Sequence, residues 1–278
     1  MEETIYTPTS GFGFGVEVWR DMFSQALRSR ELVWRLFLRN LAARYRQSVL
    51  GYVWAILPAV VTAVVATYFK NSRAIPIADT PIPYPLYVLL GMSIWQFFAA
   101  GLALMAGSLV AAGSLVTKVN FARETLVFAA LGQSLLDLII RLVIVAGAFV
   151  LFRMAPEPTI LFLPFALIPL VLMTLGLGFL LALANGVFRD VSSVLSQVVM
   201  FGLFFTPVLY PPPTQWPGVL INYLNPVSQF LIAAQDLTAK GYFSQPLAYT
   251  VSSLLGLAIF LIGWRVFHVA MPRVAERI

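Results

Sequence analysis

Apolar residues in this chain gather into runs too long for strands and too continuous for helices half exposed to water. Six stand out, at about 49–69, 86–112, 126–152, 160–186, 192–210 and 247–269. A hydrocarbon layer is crossed by about 20 apolar residues in helical conformation. Each run therefore predicts one crossing, and the expected fold class is all-α: a polytopic membrane protein with six transmembrane helices. The third and fourth runs exceed the required length, which predicts tilt or extension beyond the bilayer.

The stretch ahead of the first run reads differently. Residues 1–15 are acidic, then glycine-rich, and predict a disordered N-terminus without the apolar core of a cleavable signal peptide. Residues 16–47 predict one or two helices with a bend near Ser29. Trp34, Phe37, Leu38, Leu41 and Tyr45 recur there at three- and four-residue spacing, with Arg35, Arg39 and Arg46 off that stripe. A basic amphipathic helix bearing aromatics on its apolar side lies in a membrane interface. The expected organisation is thus a disordered segment 1–15, an amphipathic interface-helix region 16–47 and a single transmembrane domain 48–278.

The connections carry their own signals. Pro76, Pro81, Pro83 and Pro85 predict an extended link over 70–85. Residues 113–125 are too polar to cross, and Leu115, Val119 and Ala122 predict one side of a short helix lying along the membrane, with Lys118, Arg123 and Glu124 turned to water or to a partner. After Pro211-Pro212-Pro213, two short apolar pieces, 219–224 and 227–237, flank Asn225-Pro226. Neither can cross, so they predict a re-entrant hairpin between helices 5 and 6, sheltered by protein or lining a watery cavity. Small residues four apart, Ala99, Ala103, Gly107 and Ala111, then Thr174, Gly178, Ala182 and Gly186, predict close helix packing, within the chain or with a second copy.

Charge fixes the orientation. Only 11% of the 278 residues are charged against 60% hydrophobic, where soluble domains carry about 25% charged residues. With both termini cytoplasmic, thirteen of the 18 Lys and Arg fall on the inside, from Arg20 to Arg277. Four (Lys70, Arg73, Arg153 and Lys240) fall outside, and Arg141 lies within a run. The positive-inside rule selects this topology. The net charge of +6 is thereby a topology signal, and nucleic acid is not an expected partner. With no cysteine, thiol chemistry and thiolate metal sites are excluded. The single His268 reads as interfacial packing; no metal is expected. None of Lys70, Lys118 and Lys240 follows a glycine, so the chain lacks a phosphate-binding Gly-Lys-Ser/Thr loop.

Two groups are candidates for function. Asp137 and Arg141, four apart near the middle of the third run, can pair on one helical face as an intramembrane ion pair. That pair is either structural or part of a polar lining. Aromatics collect toward the outer halves of the second and fifth runs: Trp95, Phe98, Phe201, Phe205 and Tyr210, with Asn225 at the hairpin tip. They form either an interfacial aromatic belt or the lining of a path in which sugar C–H faces stack on rings.

Four local motifs point to a family: Arg44-Tyr-Arg-Gln-Ser-Val-Leu-Gly51 with Trp54 and Pro58; Gly91 with Trp95, Phe97 and Phe98; Phe188-Arg189-Asp190; and Pro207 to Tyr210 with Leu224-Asn225-Pro226. In this order and spacing, over roughly residues 30–235, the chain resembles the membrane-spanning subunit of type-2 ATP-binding-cassette exporters. Within that group it is most similar to the bacterial permeases for O-antigen, capsule and teichoic acid. The resemblance implies a homodimeric channel in the bacterial inner membrane, served by two separate ATPase subunits that hold the ATP and Mg, and a lipid-linked glycan as substrate. It assigns ATPase contact to the interface helix, with Trp34 and Arg39, and to the 113–125 segment, with Lys118, Asn120, Arg123 and Glu124. It makes the hairpin at 219–237 the closure of the path. Alternatives are a type-2 exporter of drugs or small lipids, which often has a large external domain, and a proton-coupled secondary transporter, which would call for further mid-membrane carboxylates and an internal repeat.

Overall fold

The computed structural model of the protein describes residues 16–45, 53–73, 77–113 and 121–275. The expected disordered segment 1–15, residues 46–52 of the first motif, and Lys118 and Asn120 lie outside these residues. All regular structure among the described residues is helical. In chain order the helices are α1 (Val16–Arg28), α2 (Arg30–Tyr45), α3 (Val53–Asn71), α4 (Tyr84–Ala112), α5 (Glu124–Leu151), α6 (Ile168–Val187), α7 (Val191–Gly202), α8 (Gly218–Leu224), α9 (Pro226–Ala239) and α10 (Pro246–Ala275). A turn at Leu163–Ala166 and a 3-10 segment at Pro158–Phe162 lead into α6, and a second 3-10 turn, Leu203–Phe205, continues α7.

The ends follow from local chemistry. Pro83 precedes α4 and Pro85 stands in its first turn, where a missing N–H costs nothing. Gly113 ends α4 with a positive φ of 45°, a conformation that glycine adopts without a Cβ clash. At Asn225 the side-chain oxygen accepts from the Val227 N–H at 3.1 Å and caps α9, whose first residue is Pro226.

Among the described residues, four helical stretches are long and apolar enough to cross a membrane: Tyr84–Ala112, Glu124–Leu151, Pro158–Val187 and Pro246–Pro272. The remaining two runs give the shorter apolar helices Ile56–Asn71 and Val191–Phe205. The fifth run does not stay helical to 210, because Pro207 disfavours helical backbone at the residue before it, and Thr206 is extended, at φ −112° and ψ 133°.

α4 is the hub, packed along α5 and α6 and against α3. Tyr87, Ile94, Phe97, Met105 and Leu109 on α4 are fully buried. The α6 stripe packs within the chain: a Cβ at Gly178 would meet Met105 Sδ at 2.5 Å, and Thr174 lies against Gly101. The α4 stripe does not, since Gly107 faces open space and Ala103 and Ala111 are exposed. The closest approach joins α6 to α10. A Cβ at Gly176 would stand 2.5 Å from the Ile259 carbonyl oxygen, and one at Gly263 would overlap the Gly176 carbonyl. α9 is buried almost throughout, between α4, α10 and the segment leading into α6.

α1 segregates its polar and apolar residues sharply, whereas α2 hardly does. The five-residue stripe expected on α2 is split. Phe37 turns inward onto Gly132, while Trp34 and Leu38 are exposed. Arg30, Arg35, Arg39 and Arg44 are spread around the helix, which blurs the two faces.

Candidate functional site

Two clusters of specific contacts lie at opposite ends of the bundle. At the end that carries α1 and α2, Trp264 of α10 is the centre of an aromatic knot. Trp19 and Phe23 of α1 reach it edge-on at 6.4 and 4.8 Å between ring centroids. Phe128 of α5 and Phe179 of α6 pack on it at 5.9 and 6.3 Å. Such pairs add about 0.5–1.5 kcal/mol each beyond area burial. The knot seats α1 on three of the long helices.

α2 is attached separately. Arg44 Nη1 donates to Asp137 Oδ2 at 2.8 Å, from a half-exposed guanidinium to a carboxylate only 1% exposed. Arg141, one turn further along α5, is also buried. Close to the start of α5, Glu124 Oε1 lies 2.7 Å from His268 Nδ1 on α10. A carboxylate in a first helical turn also faces the positive end of the helix dipole. Trp34 and Arg39, assigned to partner contact, are exposed, Trp34 with its ring stacked on Phe37 at 5.2 Å and Arg39 donating to Asn40 Oδ1. Arg123 and Glu124 are part-buried at the head of α5.

At the other end, polar side chains tie the chain between α7 and α8 to α4 and α9. The Tyr84 hydroxyl donates to the Leu209 carbonyl at 2.8 Å, and the Tyr87 hydroxyl lies 3.1 Å from the Tyr210 carbonyl. Asn225 Nδ2 donates to Thr206 Oγ1 at 2.9 Å. Asp236 accepts from the Ser244 N–H at 2.7 Å and from the Ser244 hydroxyl, and pairs with Lys240 Nζ at 2.7 Å, which pins the turn between α9 and α10. The two-helix hairpin expected around Asn225 is thus a docked unit.

The six residues proposed for a path separate into two sets. Trp95, 5% exposed, packs beside Phe98 with ring centroids 5.8 Å apart, and its ring lies against Gly202. Phe201 and Phe205 are 58% and 54% exposed on the other side of α7. Tyr210 donates to the Phe204 carbonyl at 2.7 Å, and Asn225 is held as above. α7 therefore presents Val194, Val198, Met200, Phe201, Phe204 and Phe205 outward, and α3 presents Val60, Val61, Val64, Val65, Tyr68 and Phe69. An apolar groove of about 380 Å³ between α6 and α7, lined by Leu181, Phe188, Val194 and Val198 with Asp190 among them, adjoins the α7 face.

Sequence reasoning missed the Arg44 partner of Asp137, the His268 partner of Glu124 and the Trp264 knot. Each joins residues more than 80 apart in sequence, and helical periodicity carries no signal at that distance. The one local signal is the four-residue spacing of Trp19 and Phe23 on α1.

Residues 31–238 match the family model described as ABC-2 type transporter. Among curated proteins, the chain is 25% identical over 248 residues to an O-antigen export system permease protein RfbA of Klebsiella pneumoniae, covering 86% of this chain and 91% of that protein. It is 26% identical over 211 residues to a protein of the same description from Myxococcus xanthus, covering 75% and 80%.

Proposed function

Because the chain belongs to the ABC-2 type transporter family, we propose that it is the permease subunit of an ATP-driven exporter of lipid-linked polysaccharide, of O-antigen, capsule or teichoic-acid type, in the bacterial inner membrane. The observation that carries this reading is near full-length similarity to O-antigen export permeases in a chain built of apolar helices.

In this reading α3 and α7 join the four long helices to make six crossings, with both termini cytoplasmic. α1 and α2 then lie on the cytoplasmic side as the interface region, and α8 and α9 form a re-entrant closure on the outer side. The exposed apolar faces of α3 and α7 meet a second copy, and the path for the glycan runs between the copies. Phe201 and Phe205 face that path, while Trp95 and Phe98 hold α7 in place behind them. Trp34, Arg39, Lys118, Asn120, Arg123 and Glu124 face the ATPase, which supplies ATP and Mg from its own chain.

The test is genetic and biochemical together. Deleting the gene should abolish surface polysaccharide and trap lipid-linked glycan inside the cell, and the wild-type gene should restore export. The purified chain should hydrolyse no ATP alone and should co-purify with an ATP-binding-cassette subunit at equal stoichiometry. Unchanged surface polysaccharide in the deletion strain, or robust hydrolysis by the chain alone, would overturn the reading.

A further inference from the structure

α7 carries two kinds of exposed flank. Val194 and Val198, four apart on the helix, stand with Leu181 and Phe188 along a groove of about 380 Å³ between α6 and α7. Ser193 and Gln197 each precede one of these valines by one residue, which is about 100° around the helix, and with Ser196 they are exposed as well. Hydroxyl and amide groups meet hydrocarbon at a cost unless they are hydrogen-bonded. The polar flank is therefore the one suited to a second copy or to a watery path. The valine flank, with α6 beside it, is suited to hydrocarbon.

The groove ends in charge. Phe188-Arg189-Asp190 forms the turn between α6 and α7, all three residues exposed, and Asp190 lines the groove. An aspartate just ahead of a helix commonly caps it through its side chain. Asp190 holds that position before Val191, yet its carboxylate makes no capping bond to α7. The site thus offers an apolar slot with one cation and one anion, adjacent in sequence, at the turn where it ends. An acyl chain fills such a slot, since a void along an apolar surface forfeits dispersion contacts. The charges choose the headgroup. A headgroup that is only anionic suits Arg189 but faces the Asp190 carboxylate, whereas one holding both a phosphate and an ammonium matches the pair.

We propose that this groove binds one acyl chain of a zwitterionic phospholipid bearing a primary amine, with its phosphate toward Arg189 and its ammonium toward Asp190. The lipid is a resident of the bilayer and not the exported cargo. It wedges between α6 and α7 and occupies the flank of α7 that a second copy leaves open. The inference goes beyond the exporter reading and needs only that these helices lie in a membrane.

The test uses the full chain, purified in mild detergent and incubated with micelles containing phosphatidylethanolamine or phosphatidylglycerol. Retained lipid is read by native mass spectrometry, and its effect by the thermal unfolding midpoint. Phosphatidylethanolamine should be retained and should raise the midpoint. Phosphatidylglycerol, which has the phosphate without an ammonium, should be retained less. V194W fills the groove from a position that is 60% exposed, so it should keep the lipid-free midpoint and lose the bound phosphatidylethanolamine. D190N keeps the slot and should hold the two lipids alike. Undiminished phosphatidylethanolamine on V194W would place the lipid elsewhere and overturn the site. A preference that survives in D190N, or that is missing from the wild type, would overturn the headgroup assignment. The chain has no cysteine, so V198C tests the rival occupant. A high-yield disulfide between copies in membranes would show protein covering the groove and sink the proposal, while V198C that stays uncrosslinked there supports the lipid. These readouts involve no glycan, so they hold or fail apart from the exporter reading.

Discussion

His268 Nδ1 and Glu124 Oε1 stand 2.7 Å apart, although 144 residues separate them in sequence. The contact closes the bundle at one end, joining the first turn of α5 to the last part of α10 just beyond the Trp264 knot. It also gives the single histidine of the chain a carboxylate partner, where sequence alone suggested interfacial packing.

Removing that contact should cost about 1 kcal/mol, the usual net value of a hydrogen bond. H268L should lower the thermal unfolding midpoint of the detergent-purified complex, and H268Q, which keeps a donor, should lower it less. A double-mutant cycle with E124Q should return a coupling energy of about 0.5 kcal/mol or more. Strict additivity would show that the two side chains do not interact.

The glycines of the bundle should differ sharply in their tolerance of a methyl group. G263A forces a Cβ into the Gly176 carbonyl, and overpacking of this kind costs about 1–3 kcal/mol. G107A meets nothing within 4 Å and gains helix propensity of about 1 kcal/mol. Expression level and unfolding temperature should therefore fall for the first and hold or rise for the second. Equal behaviour of the two variants would contradict the helix contact described.

Asn225 does two jobs that substitution can separate. N225A removes both the cap on α9 and the bond to Thr206, and loss of a cap alone costs about 1 kcal/mol. N225D keeps the cap and loses the donor to Thr206 Oγ1. If the hairpin is held through Thr206, limited proteolysis of reconstituted protein should cut near 211–217 faster in both variants. Faster cutting in N225A alone would assign the effect to the cap.

The aromatic set should divide in the same way. W95L empties part of a packed site beside Gly202, and large-to-small changes of a buried tryptophan cost up to about 3–5 kcal/mol, so the amount of folded protein should drop. F201L and F205L alter exposed rings and should leave folding intact. A glycan path beside α7 then requires that the F201L/F205L double variant stall export at normal protein levels. Normal surface polysaccharide in that variant would leave these rings as an interfacial belt.

Much of the architecture was legible because it depends on sums over many residues. Four long helices follow from hydropathy alone, and the break at Asn225-Pro226 from an Asn-Pro pair between apolar pieces. What stayed hidden depends on which face a residue occupies after packing. The stripe at Thr174, Gly178 and Ala182 was visible as a small-residue repeat and does pack on α4. Gly176, on the opposite side of the same helix, makes the closer contact with α10, and its partner Gly263 is 87 residues away, so no local pattern announces it. For Asp137 the sequence offers Arg141 on its own helix, because spacing within a helix can be counted; the approach of Arg44 from α2 cannot. The 192–210 run read as one crossing because its apolar character continues through Pro207, while the helix stops before it.

The glycine contact between α6 and α10 also bears on the order in which the protein is assembled. A ribosome delivers α10 last, and until then the carbonyl of Gly176 has no helix resting on it. The same late segment brings Trp264, the seat for Trp19 and Phe23, and His268, the partner of Glu124. The earliest helix made therefore waits for the final one before it can dock. Maturation of the chain in the membrane has a C-terminal closing step, and a nascent polypeptide halted before Pro246 still lacks the Trp264 seat of α1 and the His268 partner of Glu124.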